Sequence, residues 1–514
     1  MSNEGKIQHI VILGGGSAGW ITAGTIAAQH VDTNNDQSIT ITLVESNNIP
    51  PIGVGEGTWP TMRKTLLNMG ISETDFIGEC DASFKQGAKF AKWVTGEEDD
   101  FYYHPLMLPQ GFNKEDLSYH WHQNPNGKSF SEAVCLQEAI CELGLAPKHI
   151  RTAEFNHVAN YAYHLDAGKF TVFLQKHCTQ KLGVKHLIAD VEQVLGADNG
   201  DIEALIAKDG RVIEGDLFID CSGFHSRLID QHYKIPFNDC SDVLFIDNAL
   251  AVQVPYEDAE SPITSHTIST GQRAGWVWDI GLQQRRGVGH VYSSRHTSKQ
   301  EAEDDLARYV GDKIEHLNVR HIPIKSGHRK TFWHKNCVAV GLAAGFLEPL
   351  EASALVLVEL SAQMISDQLP SHRSVMDIVA KRFNQTFYYR WQRIIDFLKL
   401  HYILTQRKEA FWVDNCREET IPESLKELMQ LWRYRSPADH DFTSNNEVFP
   451  AASYQYILYG MGFKTEFSFN KSRNEAFAQQ QFQLNQKMIA QVRQQLPTNR
   501  ELIEKIREFG LSAI

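Results

Sequence analysis

The chain has 514 residues and a formal net charge of -13, with 42% hydrophobic and 22% charged residues. That composition is typical of a soluble globular protein, and the length predicts two or three lobes. The acidic balance disfavours a nucleic-acid partner, which favours a basic face. Because the sequence shows no apolar run of membrane-spanning length and no basic-then-apolar leader, we expect a cytoplasmic protein without membrane contact.

The cysteines and histidines predict no cross-link and no metal. The eight cysteines are scattered along the chain and never form a CxxC pair. Reduced thiols are therefore expected rather than a disulfide framework or a zinc site. The 22 histidines show no HExxH or comparable ligand spacing, so no metal site is predicted.

The first predicted element is a buried strand, His9–Leu13, followed by a glycine-rich turn and a helix with small residues on one side. The turn matches G-x-G-x-x-G. Its first glycine permits a tight turn, its second lets the backbone approach a pyrophosphate, and its third allows close packing of helix on strand. The cofactor-binding residues predicted here are Gly14, Gly16, Ser17, Ala18 and Gly19.

A second predicted strand, 39–44, ends at Glu45, whose carboxylate can accept hydrogen bonds from ribose hydroxyls. The order of strand, turn, helix, strand and acid predicts dinucleotide binding, with a purely structural glycine turn as the alternative. Flavin is favoured over nicotinamide because a late strand, 217–220, ends in a small polar turn that can close over a flavin. No second glycine motif with its own strand and acid occurs, so electrons are expected from elsewhere.

The stretch 341–355 joins a predicted buried strand, 338–340, to a predicted helix, 356–364. It contains small residues, one proline and two carboxylates, and Ser353 is predicted as a helix N-cap. A small-residue turn that ends at a helix N-terminus can hold an anion or an electron-rich cofactor edge.

Several motifs then occur together and in one order. These are segments 14–20, 52–58, 80–85, 90–93, 275–280 and 346–351. With them the chain resembles the flavin-dependent tryptophan halogenase family from about residue 10 to about residue 462. The segment 275–281 matches the family's GWxWxIP except that Gly281 replaces the proline, and the family's FLEPLES matches as far as Glu351.

The resemblance implies an α/β fold. An FAD-binding Rossmann-like lobe, similar to that of glutathione reductase and the aromatic hydroxylases, is expected over 1–370. Substrate-side segments would be inserted at about 85–200. A mainly helical C-terminal lobe, 371–514, would complete the substrate pocket.

The resemblance also implies a two-component enzyme. A separate flavin reductase would supply reduced FAD, which with O2 and chloride or bromide yields hypohalous acid. The acid would travel through an internal tunnel to an electron-rich, indole-like aromatic. The alternatives are an FAD-dependent aromatic monooxygenase and a non-catalytic flavin-binding module. A homodimer is one expected assembly.

Two residues carry the catalytic expectation. By the motif match Lys85 is the catalytic lysine, whereas without it Lys85 would be a surface lysine, with Lys89 as the nearest wrong choice. Its ammonium could hydrogen-bond hypohalous acid, or its neutral amine could form a haloamine if burial lowers its pKa. Glu351 would orient the oxidant or take the ring proton. The alternatives are a helix-terminal acid at Glu351 and Glu348 as the catalytic carboxylate.

Further roles follow from the resemblance. Ser353 and Ala354 stand where the family uses a Thr-Gly pair to hold halide through backbone amides, and Ala354 narrows the permitted backbone angles. Gly53 and Val54 would belong to a strap over FAD. The remaining cofactor-binding residues expected from the match are Gly341 and Leu350.

The resemblance places Trp276 and Trp278 beside the flavin. Alternate residues of a strand point to one face, so both rings can wall one cavity, although ordinary core aromatics are the alternative. On the substrate side, His104 could stack on or hydrogen-bond the substrate, and Tyr454 stands near the family's clasp for the amino acid. No matching Tyr-Tyr lid occurs, which disfavours free tryptophan and favours other indole-like or carrier-bound aromatics.

Overall fold

The computed structural model describes residues 5–32, 35, 38–48, 55–444, 447–467 and 473–514. Gly53 and Val54 lie outside the described residues, so their role in a flavin strap stays a prediction.

The strands, in chain order, are β1 His9–Leu13, β2 Thr40–Glu45, β3 Gly55–Gly57, β4 Ser83–Lys85, β5 Gly87–Ala91, β6 Phe101–Pro105, β7 Ala162–Asp166, β8 Lys185–Ile188, β9 Val191–Gly196, β10 Ile202–Ala207, β11 Val212–Glu214, β12 Leu217–Asp220, β13 Phe237–Asp239, β14 Asn248–Pro255, β15 Thr267–Gln272, β16 Gly275–Gly281, β17 Arg285–Tyr292, β18 Arg320–Pro323, β19 Gly327–Arg329, β20 Trp333–His334, β21 Cys337–Ala339 and β22 Gly345–Phe346.

The α-helices are α1 Ser17–His30, α2 Thr61–Asn68, α3 Glu73–Glu79, α4 Leu117–Gln123, α5 Phe130–Val134, α6 Gln137–Glu142, α7 Ala167–Lys181, α8 Lys299–Val310, α9 Ser353–Asp367, α10 Arg373–Ile403, α11 Ala410–Asn415, α12 Glu423–Trp432, α13 Ala451–Gly460, α14 Glu475–Gln495 and α15 Asn499–Phe509. Short 3-10 turns relevant to the site are Gly341–Ala343 and Leu350–Ala352.

The nucleotide-binding lobe is built on a sheet with the strand order β20-β21-β12-β1-β2-β8. Strands β21, β12, β1, β2 and β8 run parallel. Residues Ile10, Val11 and Ile12 of β1 are fully buried, as expected for a parallel strand covered on both faces. Helix α1 packs against α7 and α9. The predicted strand, glycine turn, helix and second strand are confirmed.

A second, mixed sheet has the order β18-β14-β17-β16-β15-β5-β6. The segment 85–200, predicted as an insertion, contributes β5 and β6 to this sheet, β7 to a small sheet with β3 and β4, and β8 to the nucleotide sheet. The segment therefore joins the sheets. The predicted domain boundaries themselves stay a prediction.

From Arg373 onward, the described elements are helices, which confirms the α/β fold with a mainly helical C-terminal part. The predicted amphipathic helix, 382–402, lies within α10, which has 31 residues. The middle of α10 brings Phe383, Phe387 and Trp391 to the large cavity described below, and His401 lies near the C-terminal end, beside Glu351.

The prediction that Ser353 is the N-cap of a helix is wrong by one position. Ser353 is the first residue of α9, and the N-cap is Ala352, which has no side-chain hydrogen bond to offer. Glu351 and Ala352 both have left-handed backbone angles, with φ of 64° and 54°. Such angles in non-glycine residues cost about 1–3 kcal/mol each and occur where the surrounding structure imposes them.

Candidate active site

The glycine turn after β1 is shaped by close backbone contacts. Gly14 has a φ of 121°, and a Cβ there would lie 2.1 Å from the carbonyl oxygen of Cys221. A Cβ at Gly19 would lie 1.9 Å from the carbonyl oxygen of Gly14. A Cβ at Gly16, by contrast, would meet nothing within 4 Å. The turn is thus tight on two sides and open at its middle glycine, which is the form expected where a pyrophosphate approaches backbone.

This turn opens into a cavity of about 930 Å³. The cavity is lined by the glycine turn, the end of β2, strand β3, one face of β16 and the loop before α9. Of the predicted cofactor-binding residues, those that line it are Gly14, Gly16, Ser17, Ala18, Glu45 and Gly341. Gly19 lies behind the turn in α1, and the Leu350 side chain is fully buried outside the lining.

Glu45 ends β2, as predicted, and its position is set by a histidine that sequence reasoning missed. Its Oε1 atom lies 2.6 Å from Nε2 of His186 on β8. Its Oε2 atom lies over the glycine turn, since a Cβ at Gly15 would be 1.5 Å away from it. The carboxylate is therefore held at the cavity edge where a ribose would lie.

The residues fit a flavin dinucleotide. The cavity lies at the carboxyl ends of parallel strands, where α/β sheets bind ligands, and its size is at the upper end of small-molecule sites. The space beside Gly16 would be filled by any side chain, and the carboxylate of Glu45 faces the same space. The fold and this site define an FAD-binding α/β protein of the glutathione reductase type.

Lys85 ends β4 and is 2% exposed. Its Nζ atom donates a hydrogen bond to the carbonyl oxygen of Thr58 at 3.3 Å. Burial lowers the pKa of Lys85 to about 8, although the charge of Glu351 opposes the shift. Lys89, four residues later, instead pairs with Glu142 at 2.6 Å. The structure therefore places Lys85, and not Lys89, in the cavity lining.

Glu351 is also buried, and two histidines approach one of its oxygens. Its Oε1 atom is 2.7 Å from Nδ1 of His104 and 3.3 Å from Nε2 of His401. Burial alone would raise the pKa of Glu351, but His104 and His401 outweigh that effect and hold the pKa below its usual value. The direction of this shift favours the ionised form of Glu351 although its side chain is buried.

Lys85 and Glu351 belong to the same site. Both line the large cavity. A Cβ at Gly57 would lie 3.4 Å from the Lys85 Nζ atom and 3.4 Å from the Cβ atom of Ala352, the residue after Glu351. Trp59 holds the backbone here, because its Nε1 atom donates to the carbonyl oxygen of Glu351 at 2.7 Å.

Trp276 and Trp278 alternate on β16 and line the same cavity, as the strand period predicts. Trp276 is buried and its Nε1 atom donates to Oε2 of Glu348 at 2.9 Å. Tyr402 donates to the same oxygen at 2.5 Å, and burial raises the pKa of Glu348 to about 7. Glu348 thus supports the wall of the cavity from behind, whereas Glu351 lines the cavity itself.

Ser353 and Ala354 line the cavity at the first turn of α9. The first amides of a helix have no partner inside the helix, which suits an anion. The halide role of these two residues stays a prediction.

The substrate-side residues lie outside the large cavity, in a packed aromatic cluster. His104 is 1% exposed, and its Nε2 atom is 2.8 Å from Oγ of Ser453. Tyr454 is fully buried and packs against Phe397. Phe397 in turn stacks on Phe449, with ring centroids 3.8 Å apart. The substrate roles of His104 and Tyr454 stay predictions.

Sequence reasoning missed the functional neighbourhood of Glu351. His401 on α10 lies beside its carboxylate, while Tyr102 on β6 bonds to His401 and Ser453 on α13 bonds to His104. These elements are far apart in the chain. No local pattern could signal this, because the contacts exist only once the helices pack on the sheet.

Across the described ranges, no three metal-ligating side chains converge. In the same part of the chain, no helix combines the length and apolarity required to cross a bilayer.

Comparison with known proteins identifies the family. The model of the tryptophan halogenase family matches residues 9–473. A tryptophan halogenase structure from Shewanella frigidimarina NCIMB 400 is 47% identical, with a TM-score of 0.96 and 99% of each chain covered. The chain belongs to the tryptophan halogenase family, which confirms the resemblance seen in the motifs.

Other relatives agree. The tryptophan 6-halogenase ThaL from Streptomyces albogriseolus is 32% identical over 87% of this chain and 86% of its own length. Xcc4156, a flavin-dependent halogenase from Xanthomonas campestris, is 32% identical, with a TM-score of 0.86 and 99% of each chain covered. Membership of this family implies an enzyme of flavin-dependent halogenation.

Proposed function

We propose that the protein is a two-component halogenase that uses reduced FAD, O2 and chloride or bromide to halogenate an electron-rich, indole-like aromatic by way of hypohalous acid. The observation that carries the proposal is the placement of Lys85 and Glu351. Both are buried, both line the cavity that fits the flavin, and they lie close enough for the Glu351 charge to affect the Lys85 pKa.

The chain's own residues have separate tasks. The glycine turn, Glu45 and Gly341 would hold FAD, which when bound and reduced supplies the electrons that activate O2 for halide oxidation. Burial lowers the pKa of Lys85 to about 8, which makes the neutral amine more accessible near neutral pH than in an exposed lysine. Lys85 can donate a hydrogen bond to hypohalous acid or react with it as an amine, and both routes remain open. Glu351, held ionised, accepts the ring proton.

The buried surroundings serve this chemistry. Trp276 and Trp278 wall the flavin cavity, and the packed rings of Phe397 and Phe449 exclude water on the far side of Glu351. Excluding water protects a reactive halogenating species from side reactions. Ser353 and Ala354 would hold halide through amides of the α9 N-terminus.

The substrate and partners extend the proposal. The relatives named above include proteins described as acting on tryptophan. For this chain an indole-like or carrier-bound aromatic is favoured over free tryptophan, because the sequence around Tyr454 contains no two adjacent tyrosines. A separate flavin reductase is required since no second nucleotide motif occurs. A cytoplasmic location fits this dependence on NADH-derived electrons.

The test is a reconstitution. The protein is combined with a flavin reductase, FAD, NADH and either halide, and a panel of indoles and phenols is analysed by mass spectrometry. We expect a halogenated product, and we expect Lys85→Ala to reduce its rate by at least about 100-fold. Lys89→Ala is the matched control, since Lys89 pairs with Glu142 away from the cavity and its loss leaves the rate unchanged.

The other outcomes identify the rivals. Insertion of oxygen without halogen would indicate an aromatic monooxygenase. Peroxide release without a modified aromatic would indicate a non-catalytic flavin-binding module. Unchanged halogenation by Lys85→Ala would contradict the role given to that lysine.

A further inference from the structure

Two buried hydroxyls stand behind the two histidines that face Glu351. Oγ of Ser453, on α13, is 2.8 Å from Nε2 of His104, whose Nδ1 is 2.7 Å from Glu351 Oε1. The hydroxyl of Tyr102, on β6, is 2.8 Å from Nδ1 of His401, whose Nε2 is 3.3 Å from the same Oε1. His104 therefore links a hydroxyl to the carboxylate through two hydrogen bonds, whereas His401 lies near the carboxylate without hydrogen-bond geometry to it.

The donor and acceptor roles of the neighbouring groups decide which ring nitrogen of His104 carries the proton. An ionised carboxylate only accepts, so the ring nitrogen facing Glu351 must be the N–H. In a neutral imidazole the opposite nitrogen is then an acceptor, and the hydroxyl must donate to it. The Ser453 hydroxyl thereby stabilises the tautomer of His104 that aims an N–H at Glu351.

From this geometry we infer that Ser453 is a positioning residue for Glu351. By stabilising the Nδ1–H tautomer of His104, Ser453 directs one N–H group at Oε1 and leaves Oε2 without this bond, to take the ring proton. The inference rests on the proposed function of Glu351 as the base. It gives His104 the task of hydrogen-bonding to the base, Glu351, in addition to any contact with substrate.

The groups that face Glu351 come from three elements. Strand β6 supplies His104 and Tyr102, α10 supplies His401, and β4 supplies the Lys85 ammonium. Lys85 acts in the same direction as the two imidazoles, so removing one hydroxyl weakens the stabilisation of the carboxylate without abolishing it. A partial, measurable effect is therefore expected.

The direct test uses nuclear magnetic resonance of protein labelled with 15N-histidine, and it needs no catalysis. The wild-type His104 signal, assigned by its loss in His104→Asn, is expected to show the Nδ1–H tautomer. Ser453→Ala removes the donor to Nε2 and is expected to give a mixture of tautomers. Ser453→Thr keeps a hydroxyl and restores the single tautomer.

Kinetics in the reconstituted system test the consequence. Weaker N–H donation raises the Glu351 pKa toward its ordinary value, so the base is lost at higher pH than before. For Ser453→Ala we expect kcat to fall about tenfold, with KM for the aromatic unchanged. We also expect the acidic limb of the kcat profile to move up by about one pH unit.

Tyr103→Phe is the matched control. Tyr103 is the next residue of β6 and bonds to Glu142, away from Glu351, so its loss leaves the pH profile in place. The inference is overturned if Ser453→Ala keeps the wild-type tautomer, or if its kcat falls with no displacement of the acidic limb. If no halogenation is found at all, the proposed function fails, while the tautomer measurement still decides the hydrogen-bond assignment.

Discussion

The two sides of Glu351 are built in opposite ways. On one side lies an open cavity of about 930 Å³, bordered by glycines and by Lys85. On the other side Trp59, Phe397 and Phe449 pack ring against ring, and His104 is closed in among them. The open side lacks side chains where a large ligand must approach backbone, whereas the closed side has filled its space with aromatic rings.

This difference shows what each side is made to do. The flavin side is preformed, because small residues and a fixed glycine turn leave a space that persists without ligand. On the aromatic side the buried polar groups are hydrogen-bonded to one another. His104 bonds to Glu351 through one ring nitrogen and to Ser453 through the other. The flavin side is therefore open to a large ligand, while the aromatic side is closed by packed rings.

The largest effect that we predict tests the preformed side. Gly14→Ala places a methyl group 2.1 Å from the Cys221 carbonyl oxygen at a φ of 121°. We expect a loss of more than about 4 kcal/mol, seen as failure to fold or to bind FAD in fluorescence titrations. Gly16→Ala is the matched control. Its methyl group enters open space, so the melting temperature is retained while FAD binding weakens. If Gly14→Ala and Gly16→Ala had the same melting temperature and FAD affinity, the turn would not be tight at Gly14 and open at Gly16.

The next effect tests the packed side. Phe449 is 1% exposed and stacks on Phe397. Phe449→Ala should lower the free energy of unfolding by about 3–5 kcal/mol, because it leaves a cavity beside Glu351. FAD affinity should not change. Urea unfolding measures the loss of stability. Competition among indoles of different size tests whether the new space admits a larger substrate. If larger indoles gain nothing from the new space, the closed cluster is not where substrate enters.

The smallest effect concerns the sign of two buried carboxyl pKa shifts. The pKa of Glu348 is raised to about 7 by burial, from 4.5. The unfolded chain therefore releases its proton first, and the folded protein loses stability as pH rises between about 4.5 and about 7. Glu348→Gln cannot ionise, so its stability relative to wild type should increase by about 1–3 kcal/mol across that range.

Glu351 should behave in the opposite way, and urea unfolding of the flavin-free protein at several pH values measures both variants. Its pKa lies below the usual value, so its stabilising effect is present above pH 4.5 and is lost as pH falls. Glu351→Gln should therefore destabilise the protein at neutral pH and matter least in acid. If stability depended on pH in the same way in both variants, the distinction between Glu348 as a supporting carboxylate and Glu351 as a cavity-lining one would be contradicted.

Much of the fold followed from local pattern. The β1 run of aliphatic residues, the glycine turn and the position of Glu45 at the end of β2 are consequences of short-range spacing, and the structure has them as predicted. The alternation of Trp276 and Trp278 also sufficed to place both rings on one cavity. The N-cap at Ser353 failed because Glu351 and Ala352 adopt left-handed angles that their side chains do not favour.

The sequence by itself determined the features that depend on short-range spacing. These are the nucleotide-binding strand and glycine turn, Lys85 within its motif, and Glu351 before a helix. What only the tertiary structure decided is the surroundings of that acid. His104, Tyr102, His401 and Ser453 come from separate elements, and their hydrogen bonds exist because α10 and α13 pack on β6. Sequence spacing carries periodicity along one element, whereas the ionisation of a buried carboxylate depends on contacts between several.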